Sequence, residues 1–243
     1  MLRSSKIIAA ALVSLAVVTS ANAALIRVSQ ESSAGAGDFD ANVLGTISTY
    51  STTLSSTAFY QYNSPDGSSY NGEENGGPAP ISNTTINFFA LTSNGLTFYN
   101  VHDQPGDGDG GSVRMSWSLA GGDTAAFMVG DDGSEGLNPA LNVQSTSFTT
   151  FHRWLDCCTD GFGLGTIDGA GWELFGEFDT NDVFDGGSIA NWSALSADGG
   201  IINLNLSLDR RVRFDMAVPE PSIIALFGAG LIGLGFVRRR VGK

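Results

Sequence analysis

Residues 201–216 read IINLNLSLDRRVRFDM, and the spacing of apolar residues in this stretch indicates the fold class of the chain. In its first half, polar residues alternate with Ile202, Leu204, Leu206 and Leu208. In its second half, charged residues alternate with Val212, Phe214 and Met216. A period of two is typical of a β-strand that buries one face. Because Asp209 and Arg210 separate the two runs, the stretch predicts a β-hairpin.

The same alternation, or a short run rich in Thr, Phe and Val, recurs along the chain. These further strand candidates are residues 81–90, 96–101, 113–119, 125–129, 147–154 and 171–178. Breaks rich in Gly, Asn and Asp separate them, and such breaks are typical of turns. Outside the two ends of the chain, no window has a helical period. We therefore expect an all-β fold, a single sandwich or jelly-roll-like domain over residues 24–217.

The first 23 residues have the three parts of a secretory signal peptide. Arg3 and Lys6 supply a positive start, residues 7–18 form an apolar core, and Ala21-Asn22-Ala23 fits the small-residue cleavage pattern. We expect signal peptidase to cut after Ala23, which would leave Ala24 as the first residue of the exported protein. A retained membrane helix is the weaker alternative, because the apolar core is too short.

The last 26 residues also have three parts in a fixed order. Pro219-Glu220-Pro221 is followed by the uncharged residues 222–237 and then by a basic tail, 238–243, that opens with Arg238, Arg239 and Arg240. A helix over 222–237 would be about 24 Å long, somewhat short for a hydrocarbon core of roughly 30 Å. A basic cluster directly after an apolar run is typically held on the cytoplasmic side. We therefore predict a transmembrane helix over 222–237.

This arrangement resembles the PEP-CTERM sorting signal of Gram-negative bacteria, and the resemblance covers residues 218–243 only. It implies that a membrane-embedded exosortase cuts near Pro219-Glu220-Pro221. It also implies an inner-membrane intermediate and delivery to the cell surface or the extracellular matrix. Exopolysaccharide production commonly accompanies such sorting systems, so the resemblance makes exopolysaccharide a candidate partner. An ordinary C-terminal anchor is the alternative.

The charge of the exported part is strongly negative. Six of the twelve basic residues and one of the twenty-five acidic residues lie in the two terminal segments. Residues 24–217 therefore carry six positive and twenty-four negative charges, a net charge of −18, and they contain no lysine. Such a surface repels phosphate backbones, so we do not expect nucleic acid as a partner. It favours divalent cations, basic partners or simple solubility outside the cell.

The two cysteines, Cys157 and Cys158, are adjacent. Neighbouring cysteines cannot cross-link distant segments, which is the usual role of disulfides in exported proteins. Three interpretations stay open: a vicinal disulfide, a pair that joins two copies of the chain, and two free thiols. The following Asp160-Gly161 is typical of a turn and favours the vicinal disulfide.

Three loops are rich in aspartate and glycine, and they are candidates for calcium binding. Calcium prefers six to eight oxygen ligands at about 2.3–2.6 Å, which flexible acidic loops can supply. The candidate ligands are Asp103, Asp107 and Asp109 in the first loop, Asp131 and Asp132 in the second, and Asp179, Asp182 and Asp185 in the third. None of the loops has the spacing of an EF-hand. The alternative is that these residues only form turns and keep the surface soluble.

Catalytic motifs are scarce. The only histidines are His102 and His152; Asp103 follows His102, but no G-x-S-x-G nucleophile elbow is present. No Walker motif or Cys/His metal spacing occurs either. We therefore expect a non-catalytic surface or matrix protein. The alternatives are a carbohydrate-binding module and an extracellular hydrolase. For the first, Trp192 is the tryptophan most expected to be exposed, and the other interpretation of Trp192 is a partly buried loop anchor.

Overall fold

The structure is a computed structural model that describes residues 24–62, 69–131, 136–167, 169 and 171–217. The predicted signal peptide, the sorting segment 218–243 with its helix over 222–237, and Asp132 lie outside these residues. Among the described residues, no helix is long and apolar enough to cross a membrane. Ala24, the predicted first residue of the exported protein, directly precedes the first strand.

Within the described ranges, thirteen β-strands form almost all of the regular structure. The first seven are β1 (Leu25–Gln30), β2 (Val43–Ser48), β3 (Tyr50–Ser51), β4 (Thr84–Thr92), β5 (Gly95–His102), β6 (Gly111–Ala120) and β7 (Ala126–Gly130). The others are β8 (Ser147–Trp154), β9 (Asp160–Ile167), β10 (Glu173–Asp182), β11 (Asn191–Leu195), β12 (Ile201–Leu204) and β13 (Val212–Met216). The helical elements are the short α1 (Ser56–Tyr60) and the 3-10 turns Phe39–Ala41 and Gly72–Asn75. The all-β prediction is confirmed.

The strands form two sheets that pack face to face as a sandwich. The first sheet has the order β2-β1-β13-β10-β6-β8. The second has the order β12-β11-β4-β5-β9-β7, with β3 added alongside β4. Strands pair antiparallel except where β11 and β3 each run parallel to β4. The main core lies between the sheets and contains inward residues of both, such as Trp117 of β6 and Phe98 of β5, whose ring centroids are 4.7 Å apart.

Strand β6 follows the predicted alternation and fixes which side of the first sheet faces solvent. Val113, Met115 and Trp117 are buried in the core, whereas Arg114 and Ser118 are exposed on the outer side. Each fully buried large apolar side chain contributes about 1.5–3 kcal/mol relative to an exposed one. On its outer side, β6 therefore presents polar side chains to solvent.

The second sheet is buried on both sides in its centre. Phe88 and Tyr99 point away from the main core and stack on each other with centroids 5.1 Å apart. Phe59 and Tyr60 of α1, with Tyr70, cover them and complete a second apolar cluster. Strands β4 and β5 are consequently almost entirely buried, in contrast to the alternating strands of the first sheet.

The predicted hairpin over 201–216 is wrong, although both of its strands exist. Strand β12 pairs with β11 in the second sheet, and β13 pairs with β1 and β10 in the first. Between them the chain crosses from one sheet to the other, and Leu206 packs against the core on the way. Alternation shows that one face of each strand is buried, but it does not select the partner strand.

Four strands longer than two residues were missing from the prediction: β1, β2, β9 and β11. Strand β9 is glycine-rich because neighbouring side chains come close to its backbone. A Cβ atom on Gly163 would lie 2.8 Å from Tyr99 Cε1 and 2.9 Å from Val129 Cγ1. Glycine normally weakens the sequence pattern that predicts a strand. Here the glycines are required by contacts with side chains that are far away in the sequence.

Candidate metal centre and functional sites

The loop between β5 and β6 brings three of the predicted ligands together. One carboxylate oxygen each from Asp103, Asp107 and Asp109 lies within 4.8 Å of the other two. Hard divalent cations such as Ca²⁺ take carboxylate oxygens, and further ligands would have to come from backbone carbonyls or water. The donor set therefore fits the sequence-based expectation of calcium at this loop.

Asp103 is the rigid member of the group. It is only 1% exposed and adopts a left-handed backbone conformation with φ of 65°. Its Oδ1 accepts hydrogen bonds from the backbone N–H groups of Asn83 and Gln104, and its Oδ2 accepts one of 2.8 Å from Trp154 Nε1. Burial raises the pKa of the Asp103 carboxyl, and these hydrogen bonds act against that rise.

Asp107 and Asp109 have free oxygens directed into buried space. Ser82 Oγ donates a 2.6 Å hydrogen bond to Asp107 Oδ2, while the Oδ1 atoms of Asp107 and Asp109 are buried and have no hydrogen-bond partner among the described residues. Burial acts to raise the pKa of Asp107, but the hydrogen bond from Ser82 and the interaction with Asp103 outweigh it, and the pKa is lowered. Two buried carboxylate oxygens without partners are costly unless something satisfies them.

A disulfide joins Cys157 and Cys158 in the turn between β8 and β9. Of the three interpretations that the sequence left open, the structure therefore has the vicinal disulfide. The preceding Asp156 fastens this turn to the acidic loop. Its backbone oxygen accepts a 2.6 Å hydrogen bond from Gly106 N–H, and its Oδ1 accepts one of 2.7 Å from Gly108 N–H. The disulfide-containing turn therefore holds the loop that carries Asp107 and Asp109.

The predicted ligands of the other two loops, as far as the structure describes them, do not lie in the cluster formed by Asp103, Asp107 and Asp109. Asp185 contacts the neighbouring turn, since Asp156 N–H donates to its Oδ2 at 3.2 Å. Asp131 is buried and accepts a 2.8 Å hydrogen bond from Tyr60 Oη. Asp179 accepts one of 2.8 Å from Ser116 Oγ on the outer face of the first sheet, and Asp182 is exposed at the end of β10. The three acidic loops thus do not form one shared site.

The contacts that the described residues show for the two histidines are not those of a Ser-His-Asp site. His102 is completely buried, and its Nδ1 lies 2.8 Å from Thr85 Oγ1, whereas the adjacent Asp103 is bonded to Trp154. His152 is 1% exposed, with Nδ1 2.7 Å from Asp160 Oδ1. Burial, assisted by His152, holds the pKa of His102 well below its ordinary value, so its ring is neutral in the fold.

All four tryptophans are buried, including Trp192, the one that the sequence made the candidate for an exposed sugar-stacking ring. Trp117, Trp154, Trp172 and Trp192 are 1–3% exposed. Trp192 lies on β11 and meets Phe178 of the first sheet edge-on, with centroids 5.0 Å apart. The flanking Asn191 and Ser193 suggested a polar loop, but they belong to a strand whose inner face reaches the core.

A pocket that sequence reasoning missed opens on the outer face of the first sheet. It lies between β6, β8 and β10 and has a volume of about 130 Å³. Its main side chains are Phe175, Glu177 and Arg211, with serines along one edge. The sequence pattern that could have found it is the alternation along β10. Phe175 and Glu177 alternate with buried residues, so both lie on the outer face.

Comparison with known families matches residues 217–240 to the PEP-CTERM protein-sorting motif. The match includes Pro219-Glu220-Pro221 and the three arginines that follow the apolar run. Neither the curated proteins nor the solved structures give a match. The resemblance seen in the sequence is confirmed. The chain therefore carries a PEP-CTERM protein-sorting motif at residues 217–240, a signal that implies exosortase-dependent export to the cell surface.

Proposed function

We propose that this protein serves at the cell surface or in the extracellular matrix through non-catalytic contacts made by its β-sandwich. The observation that carries the proposal is the sorting motif at 217–240, directly after β13 of the sandwich. The net charge of −18 on residues 24–217 supports solubility outside the cell and argues against nucleic-acid partners. Exosortase and signal peptidase are the processing partners, and exopolysaccharide is the candidate matrix partner.

The environment of the histidines supports a role without turnover. A general base must reach the proton that it removes. His102 and His152 are the only histidines in the chain, and both are buried between the sheets with Nδ1 held by Thr85 and Asp160 respectively. An extracellular hydrolase would therefore have to use a general base other than histidine, such as a carboxylate.

Fractionation of cells that possess an exosortase tests the proposal. The full chain and a version that ends at Ala217 are expressed from the same signal peptide. We expect the full chain at the cell surface and the shortened chain in soluble fractions, because only the full chain has the sorting motif. Equal distribution of the two chains would overturn the sorting part of the proposal.

A carbohydrate-binding role is the second candidate. The pocket on the outer face of the first sheet favours it, because an aromatic ring, a carboxylate and a guanidinium group line the same small space. Sugars combine apolar C–H faces with hydroxyl groups, so such a mixed lining suits them.

A further inference from the structure

The pocket on the outer face of the first sheet is small and built on rigid strands. Its floor lies at Trp117 of β6 and Gly176 of β10, which are paired directly across the two strands. Its volume of about 130 Å³ is below the roughly 300 Å³ at which drug-sized pockets begin. Its size therefore suits a single ring rather than a drug-sized ligand.

Phe175 forms a fixed apolar wall of this pocket. The ring is half-buried and packs edge-on against Phe39, with centroids 5.2 Å apart. The Arg211 guanidinium lies 5.9 Å from the Phe175 centroid and 5.4 Å from that of Phe39. These contacts hold the phenyl group in place before any ligand arrives, which reduces the entropy lost on binding.

The polar groups of the pocket offer both acceptors and donors. The Glu177 carboxylate makes no hydrogen bond or ion pair with the described residues, and burial followed by the charge of Asp179 raises its pKa. Ser118 and Ser147 face each other across the β6–β8 pair. These groups can accept and donate hydrogen bonds with a ligand rich in hydroxyls.

Charge selects the class of ligand. The positive charge of Arg211 is balanced by Glu31, whose carboxylate accepts hydrogen bonds from Arg211 Nε and Nη2. With Glu177 in the pocket and a net charge of −18 on residues 24–217, an anionic polymer would be repelled. A neutral ring with an apolar face and several hydroxyls meets the lining without that cost.

We propose that this pocket binds one neutral pyranose ring of a polysaccharide, with the ring beside Phe175 and its hydroxyls on Glu177, Arg211 and the serine pair. The proposal rests on the second candidate function above and specifies its site and ligand class. The expected contacts with Glu177 are charge-assisted hydrogen bonds, which are stronger than neutral ones.

Affinity electrophoresis of the full chain, in a zwitterionic detergent without a sugar headgroup, tests the proposal. The neutral probes are soluble β-glucan, mannan and galactan, and the anionic probe is alginate. We expect retardation by at least one neutral probe and none by alginate. Phe175→Ala and Glu177→Gln should each weaken the retardation at least about tenfold, whereas Phe151→Ala, on the same face but outside the pocket, should leave it unchanged.

Thermal melts of each variant show whether it is folded. Phe175→Ala removes the contact with Phe39, so Glu177→Gln, which keeps the side-chain size, serves as a second pocket variant if Phe175→Ala disturbs the fold. The proposal would be overturned if alginate alone retards the protein or if no neutral probe does. It would also be overturned if the folded pocket variants are retarded as strongly as the wild type. Because cell fractionation measures sorting separately, loss of sugar binding with normal surface delivery would reject the pocket and leave the export proposal standing.

Discussion

The imidazole of His102 in the second sheet lies nearly parallel to the indole of Trp154 in the first, with ring centroids 5.4 Å apart and planes 8° apart. The same indole donates its Nε1 hydrogen to Asp103 at the start of the acidic loop. A single side chain thus connects the core between the sheets to the candidate metal centre. The stability of the core and the geometry of the acidic loop should therefore be linked.

Stability should fall as the pH is lowered from about 7.5 to about 5.5. The folded protein keeps His102 neutral because its pKa is lowered, whereas the unfolded chain takes up a proton below about pH 6.5. The unfolded state then binds more protons, so acid favours it, by at most about 1.4 kcal/mol per pH unit for one histidine. Urea unfolding at several pH values measures this slope.

His102→Phe separates this effect from other titrations. Phenylalanine cannot be protonated, so the variant should have a flatter dependence of unfolding free energy on pH, and any remaining slope comes from other groups. Identical slopes in the wild type and the variant would show that His102 does not carry the effect.

Trp192→Ala should destabilise the fold by about 3–5 kcal/mol, because it removes a large side chain from the core and leaves a cavity. Trp192 is 1% exposed and contacts Phe178 of the opposite sheet. Ile201→Ala, at a site that is 57% exposed, is the control and should cost less than about 1 kcal/mol. Urea unfolding compares them, and equal costs would contradict the buried position of Trp192.

Millimolar calcium should raise the melting temperature of the purified protein above that in sodium chloride of equal ionic strength. An ion that binds only the folded loop stabilises it by about 2.7 kcal/mol at a hundredfold excess over Kd. The expected ligands are Asp103, Asp107 and Asp109, whose carboxylate oxygens lie within 4.8 Å of one another. Differential scanning calorimetry with calcium, with chelator and with the salt control measures the shift.

Substitutions locate the calcium effect. Asp107→Ala combined with Asp109→Ala should remove most of the calcium-dependent shift, whereas Asp182→Ala, at an exposed residue outside the group, should keep it. If the melting temperature is the same in calcium, chelator and salt, these aspartates only form turns and keep the surface soluble.

The protein recovered from the cell surface should have two new ends. Intact-mass analysis should find a species that begins at Ala24 and lacks residues 222–243, because signal peptidase and exosortase remove the terminal segments. Only full-length, membrane-embedded protein in cells that possess an exosortase would contradict this. The same analysis of a Pro219→Ala, Pro221→Ala double variant tests whether the motif directs the second cut.

The sequence predicted strands best where one face of the strand is buried and the other faces solvent. Strand β6 shows this, since Val113, Met115 and Trp117 alternate with polar residues and all three lie in the core. It predicted poorly where side chains from distant parts of the chain decide the local structure. The glycines of β9 and the polar neighbours of Trp192 both belong to strands, and both were missed for this reason.

By itself the sequence determined the sorting motif and the strand-rich body, because a linear signal and a period of two are local properties. It also placed Asp103, Asp107 and Asp109 in one loop. Only the tertiary structure decided that β12 and β13 lie in different sheets, that His102 and Trp192 are buried, and that Phe175, Glu177 and Arg211 share a pocket. These arrangements depend on contacts between residues far apart in the chain, which the spacing of side chains along one strand does not specify.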